Sequence, residues 1–104
     1  MILVTTDEIP GRKIVRVMGL VQGSSVRARH IGQDLTAFMK NLTGGEIRPY
    51  TKLLAEAREQ CLDRMRTEAA SMGANAITGV RFSSTDISDG ASELIVYGTA
   101  VVTE

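Results

Sequence analysis

The sequence predicts a small α+β domain in which a mainly antiparallel sheet is backed by two helices. Apolar residues favour strands in two segments near the N-terminus and two near the C-terminus. Between them, apolar residues recur every three or four positions over two segments, as in helices. The chain of 104 residues has the size of one domain, so we expect residues 1–104 to fold as one unit.

Two strands are predicted first. Residues 2–6 (ILVTT) form a short β-rich run that ends before the turn signal Pro10-Gly11. Residues 14–26 (IVRVMGLVQGSSV) carry apolar side chains at both odd and even positions. Because alternate residues of a strand point to opposite faces, both faces of this strand need cover. A helix can cover one face and a neighbouring subunit the other.

Two helices follow. The first has apolar residues at helical spacing from Ile31 to Leu42 and ends at Gly44-Gly45. The second begins near Pro49, which suits a first helical turn, and ends at Gly73, a left-handed cap. The apolar stripe of the second helix is predicted to consist of Leu54, Ala57, Cys61, Met65, Ala69 and Met72.

Two further strands complete the chain. The first of them (AITGVRFSSTD) is expected to place Thr78, Val80 and Phe82 on one face. The second (SELIVYGTAVV) is apolar on both faces, and Asp89-Gly90 between the two is a hairpin signal. The resulting order, ββααββ, predicts the α+β class.

Charge and composition argue against several classes of function. Twelve basic and twelve acidic residues cancel, so no net field attracts nucleic acid or an anionic membrane. Aromatic residues make up only 4% of the chain, too few for base-stacking surfaces. No apolar run approaches the roughly 20 residues of a membrane span. Without a signal-peptide pattern or a cysteine pair for a disulfide, we expect a cytoplasmic protein.

The only cysteine, Cys61, lies on the apolar stripe of the second helix. We expect a buried thiol that packs as a small apolar residue, as free cysteines commonly do. The alternative is a reactive thiol whose pKa is lowered by Arg58 and Arg64, which requires access to solvent. A metal site with two thiolates from one chain is excluded by the cysteine count.

The only histidine, His30, stands four residues before Asp34. On a helix this spacing favours a hydrogen bond between the two side chains. The alternative is a ligand pair for a divalent metal, which other subunits would have to complete because two ligands fall short of a site. His30 and Asp34 are therefore the candidate metal ligands.

Three more stretches are candidate sites. The acidic row Glu56, Glu59 and Asp63 is interpreted as a solvated helix face. The stretch GLVQGSSV lacks the lysine of a phosphate-binding loop and the pattern of a dinucleotide site, so it is at most a weak phosphate cradle. Small residues between the second helix and the next strand are assigned structural roles: Gly73, Ala74, Asn75, Ala76 and Gly79.

Several stretches together resemble the YbjQ-like family of small bacterial proteins, which are labelled heavy-metal-binding and have no known function. The stretches are Gly44-Gly45, Tyr50, EAR at 56–58, EAASMGANAITGV at 68–80 and YGTAV at 97–101. The resemblance covers nearly the whole chain. It implies a ββααββ-like subunit that assembles into a ring, typically a homopentamer, and it implies no reaction.

The expected function is therefore that of a homo-oligomer, which the family resemblance implies is a pentamer, that binds a small ligand or metal ion between its subunits. Two alternatives stay open: a structural assembly without a ligand, and an enzyme whose active site lies at the subunit interface. We assign no catalytic residue and predict no cofactor. Binding of a divalent metal ion remains an alternative. The expected partner is a further copy of the chain, with no nucleic acid and no membrane.

Overall fold

The computed structural model describes residues 1–28, 48–88 and 91–104. The predicted first helix and the predicted turn at Asp89-Gly90 lie outside these residues, as do the candidate metal ligands His30 and Asp34. In chain order the elements are β1 (Ile2–Leu3), β2 (Ile14–Ala28), α1 (Arg48–Ser71), β3 (Ala76–Ser88) and β4 (Ala91–Thr103). The predicted second helix is α1, and it ends two residues before Gly73, which has φ of 85°.

The four strands form one mixed sheet in the order β1-β3-β4-β2. β4 runs antiparallel to both of its neighbours, β2 and β3, whereas β1 runs parallel to β3. The predicted α+β class and mainly antiparallel sheet are confirmed, with one parallel pair in addition. A strand of two residues carries no pattern that identifies its partner, so its parallel pairing could not be predicted.

The helix α1 covers one face of the sheet and packs mainly against β2 and β4. The predicted stripe is buried or half-buried from Ala57 onward, but Leu54 is 42% exposed and lies outside the core. The spacing of a stripe predicts which side of a helix faces the sheet, not how far along the helix the sheet extends. The buried residues of this core are Val21, Cys61, Met65, Ala69, Ala74, Ile77, Val80, Val96 and Ala100.

The opposite face of the sheet, called the open face below, is covered at one end. There Ile9, from the segment between β1 and β2, packs against Ala76 and Val101. Farther along the same face, Val17 pairs with Val101 and is 67% exposed. The cover therefore ends within β2.

A bulge in β3 corrects one prediction. Thr78 pairs with Thr99 and Arg81 pairs with Tyr97, so three steps along β3 match two along β4. Gly79, with φ of 62°, lies in this bulge. Because one extra residue reverses the alternation of side chains, Thr78 and Phe82 lie on opposite faces. The prediction that Thr78, Val80 and Phe82 share a face is therefore wrong.

Candidate functional site

The open face carries a line of exposed apolar side chains, called the apolar row below: Val17, Leu20, Val26 and Tyr97. Val17 and Leu20 are 67% and 68% exposed, and Val26 and Tyr97 are 55% and 39% exposed. All four side chains lie on the same face of the sheet as Val101. Alternate residues of a strand share a face. Three of the four pair with odd-numbered residues of β4, and Tyr97 is itself an odd-numbered residue of β4. The row continues the apolar surface that Ile9 covers at its other end.

Polar side chains of α1 bind the outer edge of β2. The carboxylate of Glu68 accepts a hydrogen bond from the backbone N–H of Gln22 at 3.1 Å. The guanidinium of Arg64 donates to the backbone carbonyl of Ser24. These two contacts satisfy edge groups that would otherwise be open to another strand. No pattern in the sequence had indicated this role for Arg64 or Glu68.

A third contact joins the same two elements nearer the core. Ser25 is 1% exposed, and its hydroxyl donates to the side-chain oxygen of Gln60 at 2.8 Å. A buried hydroxyl needs such a partner, because an unsatisfied one costs roughly 1–3 kcal/mol. The GLVQGSSV stretch therefore contributes a sheet-to-helix contact through its second serine.

A surface hollow of about 550 Å³ lies on the polar side of α1, beside the edge of β2. The predicted acidic row lies in its wall, together with a guanidinium and two uncharged polar side chains. The lining residues are Glu56, Glu59, Gln60, Asp63, Arg64 and Thr67. Asp63 also pairs with Arg66 at 2.9 Å on the exposed surface. The described residues of the hollow offer charges of both signs to a polar molecule, and they enclose it on one side only.

The thiol of Cys61 lies inside the core, with 0% of the residue exposed. Its sulfur donates to the backbone carbonyl of Leu94 at 3.3 Å. Within residues 1–28, 48–88 and 91–104, no three His, Cys, Asp or Glu side chains are grouped closely enough to hold a metal ion. His30 and Asp34 lie outside that part of the chain.

The segment between α1 and β3 is held by its backbone and by Asn75. Ala74 and Ala76 are buried, at 9% and 0% exposure. The Asn75 amide donates to the carbonyl of Thr103 at 3.0 Å, and its oxygen accepts from the N–H of Thr103 at 2.8 Å. The sequence indicates a structural role for Asn75 in this segment, but it does not identify Thr103 as the partner of the Asn75 side chain.

A second hollow, of about 490 Å³, is formed by residues 8–14 at the turn that precedes β2. Its wall includes Glu8, Arg12 and Lys13 together with Pro10-Gly11. These side chains are exposed apart from the buried Ile9 and the half-buried Ile14. The hollow follows the shape of the turn, and its charged groups are spread along the surface.

Comparisons with known proteins agree on one family. The family model that matches residues 1–104 is described as "Putative heavy-metal-binding". A UPF0145 protein of Hahella chejuensis is 52% identical over 104 residues, which are 100% of both chains. A UPF0145 protein of Pyrococcus horikoshii is 50% identical over 103 residues, 99% of this chain and 88% of that one. The relatives include archaeal chains, so the expected restriction to bacteria is too narrow.

The fold itself has a counterpart among solved structures. A crystal structure of a protein of unknown function from Pediococcus pentosaceus matches 100% of this chain and 98% of its own, with a TM-score of 0.60. At 14% identity, this likeness concerns the fold alone. In the part of the chain that the structure describes, no helix is long and apolar enough to cross a membrane.

Proposed function

We propose that this chain, which belongs to the YbjQ-like family of UPF0145 proteins, acts as a homo-oligomer that holds a small polar ligand between its subunits. The family resemblance favours a ring of five subunits, and the sequence pattern favours a location in the cytoplasm. The ligand site lies at the subunit boundary and uses side chains from two copies.

The apolar row is the observation that carries the proposal. Val17 and Leu20 are more than 60% exposed on a sheet face whose other end is already covered. Large apolar side chains exposed together on one sheet face are typical of interaction sites. A second copy that covers the row would remove this apolar surface from water, which stabilises an assembly by roughly 25 cal/mol per Å².

The hollow beside α1 supports the position of the ligand. It lies next to the outer edge of β2, since Arg64 in its wall binds Ser24 of that strand. A neighbouring copy at this edge would cover the open side of the hollow. Glu59, Asp63 and Arg64 would then face a partly enclosed ligand, where charged hydrogen bonds are stronger than at an open surface.

The metal part of the family description does not fit the described residues of one chain. The Cys61 thiol donates to Leu94 inside the core, and no group of three ligand side chains is present in residues 1–28, 48–88 and 91–104. A heavy-metal site in this protein would need ligands from several copies, with His30 and Asp34 as the predicted contributors. The proposed binding of a polar ligand in the hollow does not depend on such a metal site.

Sedimentation of the wild-type chain and of Leu20→Asp tests self-association. We expect an oligomer for the wild type and a folded monomer of 11.2 kDa for Leu20→Asp, because a carboxylate in the apolar row prevents its burial. Leu54→Asp is the matched control, since Leu54 is an exposed leucine on α1, outside the open face. A wild-type chain that sediments as a monomer at micromolar concentration contradicts the proposal.

Thermal unfolding in the presence of small anions, amino acids, nucleotides and divalent ions tests the ligand site. We expect one class of polar compound to raise the midpoint of the assembled wild type and to leave Leu20→Asp unchanged, because binding stabilises only the state that carries the complete site. Thr67→Ala in the wall of the hollow should reduce the shift. Equal shifts in the assembled and monomeric chains would place the ligand within one subunit.

A further inference from the structure

We propose that Arg64 and Glu68, called the capping pair below, form an autoinhibitory contact: they occupy the outer edge of β2 and prevent another strand from adding to its middle. The contact protects the chain from open-ended aggregation through this edge. The inference goes beyond the proposed ligand site and applies to a single subunit as well as to an assembly.

The outer edge of β2 carries backbone groups that β4 does not bind. Among the described strands, β2 lies at one end of the order β1-β3-β4-β2. In an antiparallel pair, residues that bond the partner strand alternate with residues whose N–H and C=O groups point away from it. Gln22 and Ser24 point away from β4, because side chains of α1 bind their backbone groups. The same alternation turns Leu20 and Val26 to the outer edge.

The sequence of β2 does not itself protect this edge. Residues 17–26 (VMGLVQGSSV) contain no charged residue and no proline. Charged side chains, above all lysine, and proline are the residues that commonly keep an edge strand from pairing. Uncharged segments of about six or seven residues without proline, if rich in β-forming side chains, add readily to one another in aggregates. β2 therefore combines an outer edge with a sequence that favours strand addition.

The capping pair blocks the middle of the edge. An added strand would have to bind the N–H of Gln22 and the carbonyl of Ser24, and these already bind Glu68 and Arg64. Hydrogen bonds to charged groups are stronger than the neutral backbone bonds that would replace them. An added strand would also cover the charged groups of the capping pair, both exposed to solvent, and burying an unpaired charge is costly.

The spacing of the capping pair matches that of the backbone groups it binds. Residues 64 and 68 lie one helical turn apart on the same side of α1. Four helix residues span roughly 6 Å along the axis, and two strand residues span roughly 7 Å. The helix runs opposite to β2, since the later residue of the capping pair binds the earlier residue of the strand. Two side chains of α1 thus replace the hydrogen bonds that a neighbouring strand would make.

Gly23 brings α1 close enough for these contacts. A Cβ atom at residue 23 would lie 3.1 Å from the Cβ of Arg64 and 2.7 Å from the backbone nitrogen of Met65. The helix therefore lies directly against β2 at the residue between the two that the capping pair binds. The glycine, which adds nothing to the protection of the edge by itself, permits the helix to supply that protection.

Aggregation of paired variants tests the inference. Arg64→Ala/Glu68→Ala removes both contacts and leaves the net charge unchanged. We expect it to form fibres that bind thioflavin T after a lag at least several-fold shorter than that of the wild type, because the edge becomes available. Asp63→Ala/Arg66→Ala is the matched control: it also removes one acid and one base from the surface of α1, where they form an ion pair at 2.9 Å. Its lag should equal that of the wild type.

Two further variants separate edge exposure from other causes. Arg64→Lys/Glu68→Gln keeps a donor for Ser24 and an acceptor for Gln22, and should retain the lag of the wild type. Asn75→Ala weakens a contact far from the β2 edge and shows how fast a merely destabilised chain aggregates. All variants are compared at temperatures equally far below their unfolding midpoints.

A double-alanine variant with the lag of the wild type overturns the inference. A lag equal to that of Asn75→Ala, or to that of the Asp63→Ala/Arg66→Ala control, also overturns it, since aggregation would then follow from lost stability or lost surface charge. Sedimentation of the soluble wild type tests only the proposed self-association. A monomeric wild type combined with rapid aggregation of the double-alanine variant therefore supports the capping pair while contradicting the proposed function.

Discussion

Asn75 connects the end of α1 to the end of the sheet through a single side chain. Its amide group makes both a donor and an acceptor contact with the backbone of Thr103, at 3.0 and 2.8 Å, while its own N–H binds Val101 at 3.0 Å. The amide thus imitates the peptide group of a neighbouring strand at the last residue of β4. A residue with one carbonyl and one NH₂ group can do this, whereas a carboxylate or a methyl group cannot.

Asn75→Ala is expected to lower the free energy of unfolding by about 1–3 kcal/mol, because it leaves backbone groups of Thr103 without their partner. Asn75→Asp should be at least as harmful, since its second oxygen would face the carbonyl of Thr103 in place of a donor. Urea unfolding followed by circular dichroism measures both changes. Ser71→Ala, at an exposed position at the end of α1, serves as the control. Unchanged stability in Asn75→Ala would show that water replaces the amide without cost.

Cys61 is expected to react with thiol reagents far more slowly in the folded chain than in the unfolded one, because it is 0% exposed. Cys61→Ala should lower the free energy of unfolding by about 1 kcal/mol, as the loss of a small buried group, and leave metal uptake unchanged. The matched control is Ser83→Cys in the Cys61→Ala background, which places a thiol on the exposed part of β3. Equal labelling rates for the two thiols would show that the core around Cys61 opens readily.

At the scale of elements, the contact between α1 and β2 depends on Gly23. A Cβ atom there would lie 2.1 Å from the carbonyl oxygen of Cys61 and 2.7 Å from the backbone nitrogen of Met65. Both atoms belong to the helix backbone, which cannot move aside as a flexible side chain can. The helix therefore lies closer to β2 than any other residue type would allow, and the polar contacts of Arg64 and Glu68 with the β2 edge follow from this approach.

Gly23→Ala is expected to lower the free energy of unfolding by about 3 kcal/mol, at the upper end of the usual cost of overpacking, because the helix must lift away from β2. The shift of the denaturation midpoint in urea measures the change. The control is Gln22→Ala, which adds no atom at the contact with α1. Equal midpoints for Gly23→Ala and Gln22→Ala would mean that the helix adjusts without cost.

At the scale of the whole molecule, the described residues cover the two faces of the sheet unevenly. One sheet face is packed under α1, the open face is covered by the N-terminal segment at one end, and the outer half of β3 is exposed on both faces. The Cα radius of gyration is 17.2 Å, well above the roughly 13 Å of a compact chain of this length. An elongated subunit with uncovered strands has more surface to bury against further copies.

Two neighbouring residues of β4 should respond differently to charge. Val96 is 0% exposed under α1, so Val96→Asp should unfold the subunit by burying an unpaired carboxylate. Ile95 lies on the open face and is half-buried, so Ile95→Asp should leave the subunit folded and dissociate the assembly. Circular dichroism reports the fold, and sedimentation reports the assembly. Loss of fold in both variants would mean that the subunit is stable only when assembled.

The sequence by itself determined the class of fold and the second helix with its cap. These follow from local physics: the apolar period from Ala57 to Ala69 identifies the buried side of α1, and only glycine readily takes the φ of 85° found at Gly73. The apolar residues on both faces of β2 likewise indicated that other elements or another subunit must pack against each face of this strand. Each of these signals is contained in residues a few positions apart.

The tertiary structure alone decided which strands pair, where the alternation reverses, and which polar side chains meet. The bulge at Gly79 moved Phe82 to the other face, and it arises from the register between β3 and β4. Asn75 binds a residue 28 positions away, and Glu68 one that is 46 positions away. Such contacts depend on distances between elements in space, and no periodicity within a single element encodes them.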